Sequence, residues 1–215
     1  MRLILILIIV FPCFASAQAS KENFIIYSKY LKEFTIKKKV EKIYFVVNET
    51  TDFTKMNYLG DLNTSLEELR LYVKNKKSLS DIYSEFRFFA ITIKKDTIWM
   101  QLLDELAKKM NEGFVIENNF SADLNTIIIN KRTFNKYFKH SKSNKRIEKN
   151  WIRFHNTYKM PSALIEFSDI AKDEKHAVFY FSNRCGGLCG DGNLIFFINE
   201  NGEWKLLKEI PLWYN

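Results

Sequence analysis

Cys185 and Cys189 stand four residues apart in the string Asn183-Arg184-Cys185-Gly186-Gly187-Leu188-Cys189-Gly190-Asp191-Gly192, which holds four of the chain's seven glycines. A disulfide needs its Cα atoms about 4.4–6.8 Å apart. Four extended residues would span about 13 Å, so the chain must fold back, which glycine permits. A stapled hairpin loop fits best, worth roughly 2 kcal/mol at most on the chain-entropy model. Three other chemistries are weighed against it. A redox dithiol usually has two intervening residues at a helix start, and here there are three between strands. A zinc site would need about four ligands, so the two thiolates would have to recruit His176 or Asp191. A phosphate-cradling loop normally feeds a helix N-terminus, whereas this one feeds a strand.

The second constellation is charge. From Lys131 to Arg153 there are nine basic residues, Lys131, Arg132, Lys136, Lys139, Lys142, Lys145, Arg146, Lys149 and Arg153, against one acid, Glu148. The formal charge of the whole chain is +8, so the basicity is local. Lys136, Lys139, Lys142, Lys145, Arg146, Lys149 and Arg153 are the candidate anion-binding residues. Their partner would be a lipid headgroup, an acidic polysaccharide or extracellular nucleic acid. The alternative is a solvated helix face. Phe134, Tyr137, Phe138, Trp151 and Phe154 interleave the charges at helical spacing, which makes them core first and stacking platform second. Of the histidines His140, His155 and His176, only His155 with Glu166 suggests an acid–base pair. No G-x-S-x-G, H-E-x-x-H, P-loop or dinucleotide fingerprint occurs, so no catalytic residue and no cofactor or metal is assigned.

The compartment decides how these residues are interpreted. Arg2, the apolar run Leu3–Phe11, the break at Pro12 and Ala15-Ser16-Ala17 follow the order of a cleavable secretory signal. Cleavage is expected after Ala17, leaving residues 18–215. The apolar stretch is short for a spanning helix, and Val10-Phe11-Pro12 before Cys13 is poor for lipid attachment. An exported, periplasmic or extracellular chain with two remaining cysteines favours the disulfide. Nineteen Phe and ten Tyr argue against disorder, and three Pro and seven Gly leave little room for linkers, so one domain over 18–215 is expected.

The elements that must position these residues follow from periodicity. Helices are expected over Glu22–Lys32, from the capping box Thr64-Ser65-Leu66-Glu67 to about Val73, over Ser80–Phe86, and over Thr97–Asn111 with the stripe Ile98, Leu102, Leu106 and Met110. Two more are expected at Thr133–Lys139 and Lys145–Tyr158. Strands are expected at Lys42–Asn48, Arg87–Ile93, Thr126–Ile129, Ala163–Phe167, His176–Ser182, Asn193–Ile198 and Glu203–Leu212. Asn201-Gly202 joins the last two as a hairpin turn. Because Ala177–Phe181 is apolar at every position, both sheet faces need cover. The fold class is α+β, with helices packed on an antiparallel C-terminal meander.

Trp151-Ile152-Arg153-Phe154-His155, Tyr158-Lys159-Met160-Pro161-Ser162 and Ile165-Glu166-Phe167-Ser168 are similar to a run shared by a family of exported bacterial proteins of unassigned activity. The likeness continues through Ala177-Val178-Phe179-Tyr180, Cys185–Gly190, Asn201-Gly202-Glu203-Trp204-Lys205 and Trp213, about 65 residues in all. Some members carry other residues at one or both cysteine positions, which implies a structural staple. The resemblance implies export and a fold and brings no activity. A non-enzymatic binding or envelope-associated domain is therefore expected, with an anionic envelope component or polymer as the partner of 131–153. The alternative is a hydrolase of an acidic polymer.

Overall fold

A computed structural model describes residues 21–38, 43–47, 58–81, 87–110, 115–117, 120–138, 144–158, 162–186 and 189–214. The leader, Cys13, Lys139, His140 and Lys142 lie outside the described residues. The chain runs α1 (Lys21–Lys38), β1 (Ile43–Val47), α2 (Tyr58–Val73), α3 (Arg87–Lys95), α4 (Ile98–Lys109), β2 (Thr126–Ile129), α5 (Lys131–Phe138), α6 (Asn144–Tyr158), β3 (Ser162–Phe167), β4 (Ala171–Lys172), β5 (His176–Gly186), β6 (Cys189–Glu200) and β7 (Glu203–Tyr214).

All seven strands join one mixed sheet, ordered β2-β1-β3-β5-β6-β7, with β4 beside β5. The α+β class and the antiparallel C-terminal meander β5-β6-β7 stand as expected. The parallel pairs β1-β2 and β1-β3 were not foreseen. Asn201 and Gly202 both take positive φ at the β6-β7 turn, as a primed two-residue turn requires.

Alternation along β5 divides the core. Ala177, Phe179 and Phe181 face α1 and pack with Tyr27, Tyr30, Ile195 and Phe197. Val178 and Tyr180 face the other way, with Leu194 and Phe196, against α2, α3 and α4. A third cluster lies under α5 and α6, where Tyr137, Trp151 and Phe154 cover Val47, Ile129 and Leu164. The apolar character of β5 on both faces is thus explained by helices on both sides.

Between β3 and β4 the strand breaks at Ser168-Asp169-Ile170, and side chains carry the ladder across. The Ser168 N–H donates to the Tyr180 carbonyl at 2.9 Å, and the Ser168 hydroxyl accepts the Tyr180 N–H at 2.8 Å. Asp169 accepts Asn23 of α1 at 3.0 Å and pairs with Lys109 of α4 at 3.2 Å. The break is therefore gripped from both helical layers.

Three sequence expectations need correction. Arg87–Ile93 is helix α3, because Phe89, Ala90 and Ile93 turn together onto α4 and the sheet, with the Phe89 ring 4.1 Å from that of Phe196. Thr64 lies inside α2, so it caps nothing, and Glu67 reaches forward to Arg70 at 3.3 Å instead of back. The described part of Ser80–Phe86 holds one 3-10 turn, Leu79–Asp81, and residues 82–86 lie outside the described residues.

Candidate functional site

The basic segment folds as the helical pair α5 and α6. Asn130 starts α5, its side-chain oxygen accepting the Thr133 N–H at 2.9 Å. The aromatic stripe turns inward: Tyr137 meets Phe154 edge-on at 5.2 Å, and Phe138 lies 4.9 Å from Trp151. These rings are core, so they are not a stacking platform for nucleic-acid bases.

The charges take the opposite face. Arg132 and Lys136 on α5 and Lys149 and Arg153 on α6 are exposed. Lys136 and Arg153 flank the Tyr137 ring at 5.4 and 5.7 Å. Lys145 and Arg146 lie in the first turn of α6. Among the described residues, no carboxylate lies within 4 Å of Arg132, Lys136, Lys149 or Arg153. By contrast Lys29, Lys32, Arg70, Lys77, Lys109, Lys172 and Lys205 each face one. Among the described residues, the four cations of the helical pair therefore lie close together with no carboxylate beside them; pairing elsewhere is mixed, since exposed lysines such as Lys74, Lys76 and Lys95 also lack one.

The cysteines form the disulfide Cys185–Cys189, with Cα atoms 5.2 Å apart. It closes the tip of the β5-β6 hairpin, where Gly186 pairs with Cys189. Asn183–Gly186 and Cys189–Gly192 belong to strands, so the loop is tighter than the sequence suggests. His176 begins β5, nine residues before Cys185, which at about 3.3 Å per residue puts it roughly 30 Å away. It cannot share a metal with that position. Among the described residues, no group of three or more His, Cys, Asp or Glu side chains could hold a metal ion. His176 instead packs edge-on against Trp99 at 4.7 Å and places Nδ1 3.2 Å from Asp173. Burial alone would raise the Asp173 carboxyl, but N–H groups of Lys175 and His176 and the imidazole outweigh it and hold the carboxyl low.

Sequence reading missed a buried polar group beside the staple. Glu166 is only 2% exposed, and its carboxylate accepts the Ser182 hydroxyl at 3.2 Å. Arg184 stands 3.6 Å from it and 5.7 Å from the Trp213 ring. Trp213 donates its indole N–H to the Tyr180 hydroxyl at 2.9 Å, and burial pushes that phenol up. The available signal was Gly190-x-Gly192 with Trp213: a Cβ at Gly192 would overlap the indole nitrogen. His155 lies against the Trp151 and Phe154 rings at 5.6 and 6.3 Å, while Ser182 and Arg184 hold Glu166.

The fold and site define an α+β domain with a mixed sheet, a stapled hairpin and a helical pair that carries exposed basic residues. No family model matches the chain, and no match is found among curated proteins or solved structures. Among the described residues, no helix is long and apolar enough to cross a membrane.

Proposed function

We propose that this is an exported, non-enzymatic binding domain that docks an anionic envelope component or polymer through α5 and α6. The observation that carries it is the gathering of exposed cations from two adjacent helices. Arg132, Lys136, Lys149 and Arg153 stand exposed on α5 and α6 without a carboxylate within 4 Å among the described residues, and Lys136 and Arg153, one from each helix, flank the same Tyr137 ring. An unpaired cationic face raises the local concentration of polyanions and speeds their encounter. The aromatic stripe beneath it seats the two helices on β1, β2 and β3, with the charges on the outer side.

Export rests on the leader at 1–17 and agrees with a cross-linked cysteine pair, since disulfides persist in oxidising compartments. The test is binding to heparin and to vesicles containing an anionic phospholipid. Each cation near an anionic surface is worth about 1 kcal/mol, so reversing three should weaken binding by more than tenfold. K142E/K145E/K149E is expected to leave both matrices at much lower salt than the parent. Unchanged retention would remove α5 and α6 from the binding surface.

A further inference from the structure

Helix α1 covers the face of the sheet opposite to α5 and α6. Ala163 and Ile165 of β3 face α1, while Leu164 between them lies under the basic pair. Along its outer side α1 carries Lys21, Ile25, Lys29 and Lys32, whose spacing sets them in one row. That row, with Phe24, Ser28 and Ser121, lines a depression of about 500 Å³, a size usual for small-molecule sites. Phe24 is buried and meets Phe120 edge-on at 5.4 Å, so it gives a fixed apolar floor. Ile25 is 54% exposed and adds apolar wall.

The groups left uncommitted in this lining define the ligand's class. Lys29 pairs with Glu203 at 2.7 Å and Lys32 with Asp123 at 2.8 Å. The Ser28 hydroxyl oxygen accepts the Ser121 N–H at 3.1 Å, and the Ser121 hydroxyl donates to Asp123. These polar groups are therefore satisfied, and Lys29 and Lys32 offer the depression their methylene stems. Lys21 differs. It is exposed, and among the described residues no carboxylate lies within 4 Å of its ammonium. Its neighbour Glu22 is engaged by Lys172 and by the Trp204 indole. Lys21 also opens α1, where the helix dipole adds to its positive charge. The lining thus presents apolar surface along a row of roughly 16 Å, with one open cation at its start. A neutral ligand would leave that cation unused, and a cationic one would be repelled by it.

We propose that this depression binds a long-chain carboxylate, a fatty acid. The carboxylate meets the Lys21 ammonium. The alkyl chain lies over Phe24 and Ile25 and runs toward the stems of Lys29 and Lys32.

The probe is sodium decanoate below its micelle-forming concentration, read by calorimetric titration and thermal unfolding. Decyltrimethylammonium bromide and decanol share the chain and differ in the head, and serve as controls. Decanoate is expected to saturate a single site and raise Tm, with both controls about fivefold weaker or worse, the worth of one exposed ion pair. K21Q should weaken decanoate about fivefold and leave decanol unchanged. I25S should weaken decanoate and decanol alike, about fivefold, because apolar wall is lost. Both side chains are exposed, so neither variant should move the ligand-free Tm. K142E/K145E/K149E should bind decanoate as the parent does. Equal binding of the three amphiphiles would overturn the carboxylate assignment. So would K21Q or I25S binding decanoate like the parent, or a loss in K142E/K145E/K149E, which would place the ligand on the basic helical pair.

Discussion

Gly192 and Trp213 are fitted to one another. The indole lies across the backbone of β6 so closely that a single methyl group at Gly192 would occupy the position of its ring nitrogen. That nitrogen is spent on the Tyr180 hydroxyl at 2.9 Å, within a buried group. Gly192→Ala therefore cannot be absorbed by rotating a loose side chain. The indole must leave, opening a hydrogen bond and disturbing the cation–ring contact with Arg184 at 5.7 Å. Overpacking costs about 1–3 kcal/mol, and a buried unsatisfied donor about 1–3 more. A loss of about 3 kcal/mol is expected in urea unfolding of Gly192→Ala. Nothing comparable is expected for Gly202→Asn, whose position has open space and where Asn tolerates positive φ. A Gly192→Ala protein as stable as the parent would show that the indole is not seated there.

At the scale of elements, the β5-β6 hairpin is held first by its ladder and only then by its disulfide. Register pairs continue from His176–Ile198 to Gly186–Cys189, and both strands are buried through their middle thirds. The staple closes a very short loop, so its share is small, about 2 kcal/mol by loop entropy. Native protein is expected to show no thiol by titration. C185S/C189S should keep its near-ultraviolet circular dichroism while its urea midpoint falls; global unfolding on reduction would show that the ladder alone cannot hold the hairpin. Much at this scale was legible beforehand. The stripe of α4 could be read because Leu102 and Leu106 recur at helical spacing, and Asn201-Gly202 because few other turns tolerate two positive φ values. Helix α3 was not legible: Phe88-Phe89-Ala90-Ile91-Thr92-Ile93 is apolar and β-branched, a short run where periods of 2 and 3.6 cannot be separated. Only its seat between α2, α4 and Phe196 makes it helical. The Glu166 group was illegible for another reason. Strand pairing brings Ser182 and Arg184 to β3, and a strand's sequence does not name its neighbour.

For the whole molecule, the sheet is covered unevenly, and stability should follow that cover. Both faces of β5 and β6 are sealed, by α1 on one side and by α2, α3 and α4 on the other, and Val178, Phe179, Phe181 and Leu194–Phe197 are fully buried. Strand β2, at the end of the sheet order, has four residues and pairs with β1, and its Ile127 is exposed. Its buried Ile129 belongs to the aromatic cluster of α5 and α6, which is smaller than the other two, and Ile128 is only partly buried against the α1-side core. Local openings cost least where few apolar contacts are broken. Native-state hydrogen exchange is therefore expected to find the Val178–Phe181 and Leu194–Phe197 amides exchanging only by global unfolding. The Thr126–Ile129 and α5 amides should exchange through a separate, lower-energy opening whose free energy barely depends on urea. Polyanion bound to the basic helical pair should slow that opening selectively, because a ligand stabilises only the form it binds. If heparin slowed exchange equally in β5 and in β2, the two regions would form one cooperative unit, and α5 and β2 would have no opening of their own.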